Sequence, residues 1–338
     1  MKAAKYEGKE KLSIVDIPKP TPKDNEVLVK VRYTGICGSD LESYKTGLYP
    51  FPVVMGHEII GVIEELGQNV KKWKIGDRIT YNGGISCGEC PSCKRGYVNI
   101  CYDEFQELGI YHDGGFAEYV VIPEKNILVV PDSIPDEHGT IFEQLATSIQ
   151  AIRTSGFEMG DTAVVIGLGT MGQFILQGLK LAGVKTLMVI ERNPNRLEVA
   201  KKFNPDVVLK KLLIPKIKKA TKRYGADFVF ECTGSPAVIN SSASLLRKGG
   251  SLIQVGVSDV PFEFSYLPFI TNQNRIQGIY AWHERDFEFA IDLIARKIVN
   301  PEPIVTSIIS IDDIVEKGFL EAIKPDTKEI KILVDPYK

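Results

Sequence analysis

Residues 162–172 read Thr162-Ala-Val-Val-Ile-Gly167-Leu-Gly169-Thr170-Met171-Gly172. The apolar run before the first glycine predicts a strand buried on both faces. After the glycines the period changes: Met171, Phe174, Ile175, Leu179 and Ala182 recur at helical spacing, so one apolar stripe of a helix can lie on the sheet. A second apolar run, Thr186-Leu-Met-Val-Ile-Glu191, completes a strand–helix–strand unit with parallel strands. A Gly-x-Gly-x-x-Gly pattern says little alone, but between a strand and a helix it predicts a dinucleotide site. The glycines permit a tight turn and let a pyrophosphate reach the helix N-terminus, whose amides and dipole favour an anion. Gly167, Gly169, Thr170, Met171 and Gly172 are therefore expected to bind cofactor. Glu191, nineteen residues beyond Gly172, is placed to accept the ribose hydroxyls of NAD and to repel the 2′-phosphate of NADP. Arg192 follows it and weakens that discrimination. Arg196 either covers the adenine or is a solvated helix-surface residue.

Working outward, the runs ADFVFECTG, GSLIQVGV and NRIQGIYA continue the pattern of buried strands alternating with helical segments as far as residue 281. Residues 1–130 have another texture. IVDIP, EVLVKVRYTG, EIIGVIEELG, GDRITYNGG and FAEYVVIP are short alternating or β-branched runs divided by Gly, Pro, Asn and Asp, as in a β-rich domain. From Asp286 the chain reads as a helix, DFEFAIDLIARKI, and then as a β-like segment, KEIKILVDP, expected to rejoin the N-terminal half. The expected division is 1–146, 147–284 and a returning segment 285–338. A length of 338 residues agrees with two domains.

The formal net charge of −2 provides no field for nucleic acid or an anionic bilayer, so a small-molecule partner is expected. No apolar run approaches membrane-span length and MKAAKYEGKE lacks a signal-peptide core, which predicts a cytoplasmic protein. Four of the six cysteines form the set Cys87-x2-Cys90-x2-Cys93-x7-Cys101. In a long chain with no secretory signal, that spacing points to metal ligation rather than disulfides. Four thiolates close a tetrahedral zinc shell with no open position, which makes the site structural. A redox pair and an iron–sulfur cluster are the alternatives. A second, scattered set comprises Cys37, His57, Glu58 and Glu143, whose mixed S, N and O donors suit a catalytic zinc that keeps a position open. The same residues read equally as an inert thiol, a turn histidine and ordinary surface acids. His112, His138 and His283 are expected in loops or at the surface, and Cys232 in the core.

Taken in order along the chain, GICGSD (35–40), GHE (56–58), GEC-PSC (88–93), DGGFAEY (113–119), E-x-L-A (143–146) and GLGTMG (167–172) resemble the zinc-dependent medium-chain dehydrogenase/reductase family. Within it they resemble the polyol dehydrogenase group of sorbitol, threonine and butanediol dehydrogenases. The resemblance implies an α/β protein with a GroES-like β-rich catalytic domain and a Rossmann doubly wound parallel-sheet domain, a cleft between them, two zinc ions per chain, and a homotetramer or dimer. It makes Cys37 and His57 zinc ligands, with Glu58 and Glu143 ligating directly or through water. Ser39 becomes the relay for the alcohol proton and Asp40 the residue that orients the histidine. Thr147 falls beside the nicotinamide, and Val255 and Gly256 hold its carboxamide. One departure is Gln144, where the family has proline. The activity implied is NAD-dependent oxidation of a secondary hydroxyl of a polyol or small diol, since carboxylates at the metal can accept hydrogen bonds from a neighbouring hydroxyl. An NADPH-dependent carbonyl reductase is the runner-up. A zinc-ribbon nucleic-acid binder would need a basic stripe, which a pI near 6.2 disfavours. A catalytically silent NAD sensor would be expected to lack Cys37 or His57.

Overall fold

The computed structural model describes residues 1–338 apart from 85, 103–105 and 259. They form two compact units, Met1–Glu143 with Trp282–Lys338, and Gln144–Ala281.

In the first unit, β1 (Lys2–Gly8) lies antiparallel between β2 (Lys11–Asp16) and β4 (Val53–Val54). A larger sheet is built on β3 (Glu26–Gly35), β5 (Glu58–Leu66), β6 (Arg78–Tyr81), β7 (Tyr119–Pro123) and β8 (Ile127–Val129). In β3, Val27, Val29 and Val31 pack with Ile59, Ile63 and Ile79, and Leu28 between the first two is buried as well.

The second unit holds six parallel strands, β9 (Thr162–Ile166), β10 (Thr186–Ile190), β11 (Val207–Leu209), β12 (Ala226–Glu231), β13 (Leu246–Gln254) and β14 (Arg275–Gly278), in the order β11-β10-β9-β12-β13-β14. Alternate residues of β9 serve two cores. Ala163 and Val165 face Ile175, Leu176 and Leu179 of the helix Thr170–Leu181, whereas Val164 and Ile166 face Ile217, Ile239 and Leu245. Helices therefore cover both faces, which is why these strands read as unbroken apolar runs. Each fully buried aliphatic side chain contributes about 1.5–3 kcal/mol. The strand order reverses between β9 and β12, and in an open α/β sheet the carboxyl ends at such a reversal form the ligand crevice.

The chain then returns to the first unit. There β15 (Val305–Ser310) pairs parallel with β16 (Lys331–Asp335), which pairs antiparallel with β3. No helix among the described residues is long and apolar enough to cross a membrane.

Candidate functional site

Cys37 stands between β3 and the helix Gly38–Thr46, in extended conformation at the helix N-cap. Its backbone N–H donates to Asp40 Oδ2 at 3.0 Å, and the other Asp40 oxygen faces His57 Nδ1 at 3.5 Å. Asp40 thus fixes the thiol-bearing turn and sets a carboxylate oxygen in ion-pair range of Nδ1, though neither of those two atoms makes a hydrogen bond among the described residues. The other imidazole nitrogen, Nε2, is 3.8 Å from Glu143 Oε1, on the first turn of the helix Phe142–Ser155. His57 follows Gly56, which has φ +98° and is packed so tightly that a Cβ on Gly114 would collide with its carbonyl oxygen. The DGGFAEY segment is therefore a backbone contact that sets the histidine in place.

The Cys37 thiol, a His57 nitrogen and a Glu58 oxygen all lie within 4.8 Å of one another. Burial pushes the Cys37 thiol and the Glu143 carboxyl up, and their neighbouring carboxylates add to it. Burial likewise lifts Asp40 to about 6, against the pull of His57. Burial alone would lower the His57 imidazole, but Asp40, Glu143 and Cys37 outweigh it and hold it well above the usual range. Donors of S, N and O type crowded into so anionic a pocket fit a divalent cation, and zinc accepts all three. Ser39 is half-buried on the first turn of the same helix.

Sequence reasoning missed Lys331. Its ammonium, in β16, donates to both carboxylate oxygens of Glu58, at 2.7 and 2.6 Å, and to the Ile36 carbonyl at 2.9 Å. Both side chains are buried, at 2% and 0% exposure. Burial would lower the lysine, but Glu58 and Cys37 raise it, so it stays charged.

The Sγ atoms of Cys87, Cys90, Cys93 and Cys101 cluster within 4.8 Å, with separations of 3.9, 3.9 and 3.4 Å for the pairs 87–93, 90–101 and 87–101. Disulfide sulfurs would lie about 2.05 Å apart. A tetrahedron with Zn–S bonds of about 2.3 Å has sulfurs about 3.8 Å apart, close to these values. Backbone amides of Glu89 and Cys90 point at Cys87 Sγ, at 3.4 and 3.2 Å, as suits a thiolate. Of the remaining histidines, His112 is exposed beside Gln106, and His283 starts the helix Glu284–Ala295.

In the second unit the glycine loop follows β9. Gly167 has φ +86°, and a Cβ there would lie 2.6 Å from Thr233 Cγ2; a Cβ on Gly172 would strike the Gly167 carbonyl oxygen. Nothing lies within 4 Å of a Cβ on Gly169, which is the N-cap of the helix Thr170–Leu181. Two glycines thus serve packing and the third leaves open space at a helix N-terminus, a cradle suited to a pyrophosphate. Glu191 is 7% exposed and accepts from the amides of Leu168 at 2.7 Å and Asn193 at 2.8 Å. A carboxylate has about four acceptor sites, so two hydroxyls can still be accommodated. Arg192 is exposed, and Arg196 is half-buried on the helix Pro194–Lys201. Thr147 lies on the helix Phe142–Ser155, while the amides of Val255 and Gly256 donate to the Glu231 carbonyl at 2.9 and 2.8 Å.

Residues 23–132 match the family model described as an alcohol dehydrogenase GroES-like domain, and residues 170–296 the one described as a zinc-binding dehydrogenase. A sorbitol dehydrogenase of Halalkalibacterium halodurans is 34% identical over 336 residues, covering 96% of this chain and 95% of its own. The chain belongs to the zinc-binding alcohol dehydrogenase family. A D-arabitol-phosphate dehydrogenase of Enterococcus avium is also 34% identical to this dehydrogenase, covering 88% of this chain and 87% of the relative. The crystal structure of 2R,3R-butanediol dehydrogenase from Bacillus subtilis superposes with a TM-score of 0.89 at 29% identity over 99% of both chains. Like its family, this dehydrogenase is a zinc-binding oxidoreductase that passes hydride between an alcohol and a nicotinamide cofactor.

Proposed function

We propose that this dehydrogenase oxidises a secondary hydroxyl of a polyol or small vicinal diol, with NAD as acceptor and a zinc held by Cys37, His57 and a carboxylate. The observation that carries this reading is the cluster of Cys37, His57 and Glu58 with Asp40 behind the imidazole. When bound, the zinc polarises a hydroxyl oxygen and the nicotinamide takes up the hydride. The protein's own residues do the rest. Asp40, 3.5 Å from His57 Nδ1, would favour a proton on that nitrogen and leave Nε2 for the metal. Because Lys331 takes up both oxygens of Glu58, we assign the direct metal contact to Glu143 and a supporting place behind it to Glu58. Ser39, half-buried on the turn after Cys37, would relay the proton of the alcohol, taking it up as its own hydroxyl proton passes to the cofactor ribose and on to solvent. Gly167, Gly169, Thr170, Met171 and Gly172 seat the pyrophosphate, with Thr147, Val255 and Gly256 as the nicotinamide residues. The second zinc, on Cys87, Cys90, Cys93 and Cys101, orders its loop. The six cysteines are unbridged, which suits a reducing, cytoplasmic compartment.

Steady-state NADH formation with sorbitol, xylitol, 2,3-butanediol, threonine and ethanol tests the substrate class. Polyols or the diol are expected to give the highest kcat/KM; ethanol in first place would overturn it. NAD is expected to be preferred over NADP, because a 2′-phosphate would meet the Glu191 carboxylate in a partly desolvated site. Glu191→Ala should raise relative NADP use by about tenfold or more, as loss of a like-charge clash does. Equal kcat/KM for the two cofactors in the unmodified enzyme would remove Glu191 from this role. A homo-oligomer is also proposed. The edge strand β14 and its surroundings expose Tyr266, Leu267, Ile270 and Ile276 at 64, 62, 63 and 50%, a surface suited to a second copy. Light scattering giving the monomer mass would contradict it.

A further inference from the structure

Glu231 ends β12 with 0% exposure, a carboxylate where the strand leading to it reads Phe228-Val229-Phe230. Uncharged donors surround it. Oε1 accepts from the backbone amide of Thr233 at 2.8 Å and from the hydroxyl of the same residue. Oε2 accepts from the Gly234 amide at 2.9 Å and from Gln254 Nε2 at 2.8 Å. Burying a carboxylate is costly unless hydrogen bonds replace the water it gives up, and an apolar side chain would close a strand end at less cost. The four bonds instead fix two turns relative to one another.

Thr233 and Gly234 belong to the turn after β12, and Gln254 ends β13. Gln254 reaches both ways, because the same Nε2 also donates to the Gly256 carbonyl at 2.8 Å. The Glu231 backbone completes the join, its carbonyl accepting from the amides of Val255 and Gly256 at 2.9 and 2.8 Å. The two turns meet backbone to backbone. A Cβ on Gly256 would stand 2.1 Å from the Gly234 nitrogen, and one on Gly234, where φ is +68°, 2.3 Å from the Val257 carbonyl oxygen. On the other side, Thr233 Cγ2 is the atom that a Cβ on Gly167 would meet, and the Cys232 amide donates to the Ile166 carbonyl at 2.9 Å. Glu231 therefore stands at the junction between the glycine loop after β9 and the turn that carries Val255 and Gly256.

We propose that Glu231 is a positioning residue for the nicotinamide half of the cofactor, acting through Gln254 and the 233–234 turn to hold Val255 and Gly256 in place beside the glycine loop. The inference rests on the reading that Val255 and Gly256 are nicotinamide residues. Both their amides are taken by the Glu231 carbonyl, so the turn meets a ligand as a preformed backbone surface. Such a surface leaves less ordering to be done on binding than one that must first be arranged. The groups assigned to pyrophosphate and ribose lie apart from this junction: Gly169 opens a helix, and the Glu191 carboxylate bonds to Leu168 and Asn193. Loosening Glu231 should therefore weaken the nicotinamide end selectively.

The test measures, by calorimetry on the full-length, zinc-loaded enzyme, the binding of NADH and of ADP-ribose, which keeps the adenosine and pyrophosphate but lacks nicotinamide. Glu231→Gln keeps the shape but has a single acceptor oxygen, which strands one pair of donors. It is expected to raise the NADH dissociation constant by about tenfold or more, as loss of hydrogen bonds to a charged group does, and the ADP-ribose constant by less than about twofold. The fluorescence gain of NADH on binding should fall too, since it reports how firmly the nicotinamide ring is held. Gln254→Met leaves the Thr233 and Gly234 donors on the carboxylate and serves where Glu231→Gln does not fold. It should raise the NADH constant by about threefold or more, with ADP-ribose again little changed. Equal weakening of both ligands in the variant that folds would make the role merely structural and overturn the inference alone, as would an unchanged NADH constant. An unmodified enzyme that binds NADH no more tightly than ADP-ribose overturns the nicotinamide assignment of Val255 and Gly256, and this inference with it.

Discussion

Cys37→Ser is expected to lower kcat/KM by about 10³-fold or more while the protein stays folded. A zinc ligand must be deprotonated, and a serine hydroxyl in a buried, anionic pocket does not give up its proton as a thiol does. The variant keeps His57, Asp40 and the carboxylates in place, since the Cys37 backbone N–H still donates to Asp40 and a serine oxygen can replace the sulfur as acceptor for the Asp40 amide at the helix N-terminus. It would lose the soft donor of the proposed zinc site. Lewis-acid polarisation contributes several kcal/mol to a barrier, and every 1.36 kcal/mol is tenfold in rate. The variant should bind one zinc per chain fewer, the metal of the four cysteines remaining. Full activity together with full zinc content in the variant would remove Cys37 from the metal.

The second large effect is on stability. Lys331→Met should destabilise the first unit by about 3–5 kcal/mol, the range for removing one partner of a buried ion pair. A melting temperature lower by roughly 10 °C follows for a unit of that size. The methionine fills most of the lysine's volume, so the loss comes from Glu58, left buried with no cation against both its oxygens. Adding Glu58→Gln to Lys331→Met should recover much of the loss, because it removes the stranded charge. A single variant within about 1 kcal/mol of the parent would show that the pair carries little, and thermal melts of the zinc-loaded protein decide it.

The α/β organisation was legible because the chemistry of each half is local. AVVI is apolar throughout because β9 is covered on both faces, and β3 is legible through Val27, Val29 and Val31, which pack into one core. The glycine loop was legible for the same reason: its three glycines and the helix stripe all fall between Gly167 and Ala182. Short elements were not legible. β4 has two residues and β11 three, too few for a period, and sheet partners rather than propensity make them strands. β15 was missed because its Val-Thr-Ser start is half-buried or exposed and carries no apolar alternation.

Among site residues the divide is between those that sit in motifs and those whose partners are remote. Cys37 and Asp40 are three apart and share a helix start. Lys331 meets Glu58 across 273 positions, and the sequence signal was slight: a lysine opening KILV, the four buried residues of a five-residue strand. A buried lysine implies a buried acid but does not say which one.

The central claim is that turnover depends on a metal at Cys37 and His57, distinct from the one that orders the cysteine loop. The direct measurement is zinc per chain against NADH formation from xylitol as a chelator is titrated into the loaded enzyme. An open site exchanges more readily than a closed four-thiolate site. Activity is therefore expected to vanish as zinc falls from two per chain to one, with the melting temperature declining only as the last zinc leaves. Turnover that persists with one zinc remaining on the four cysteines, or a loaded protein that never binds more than one, would contradict the account.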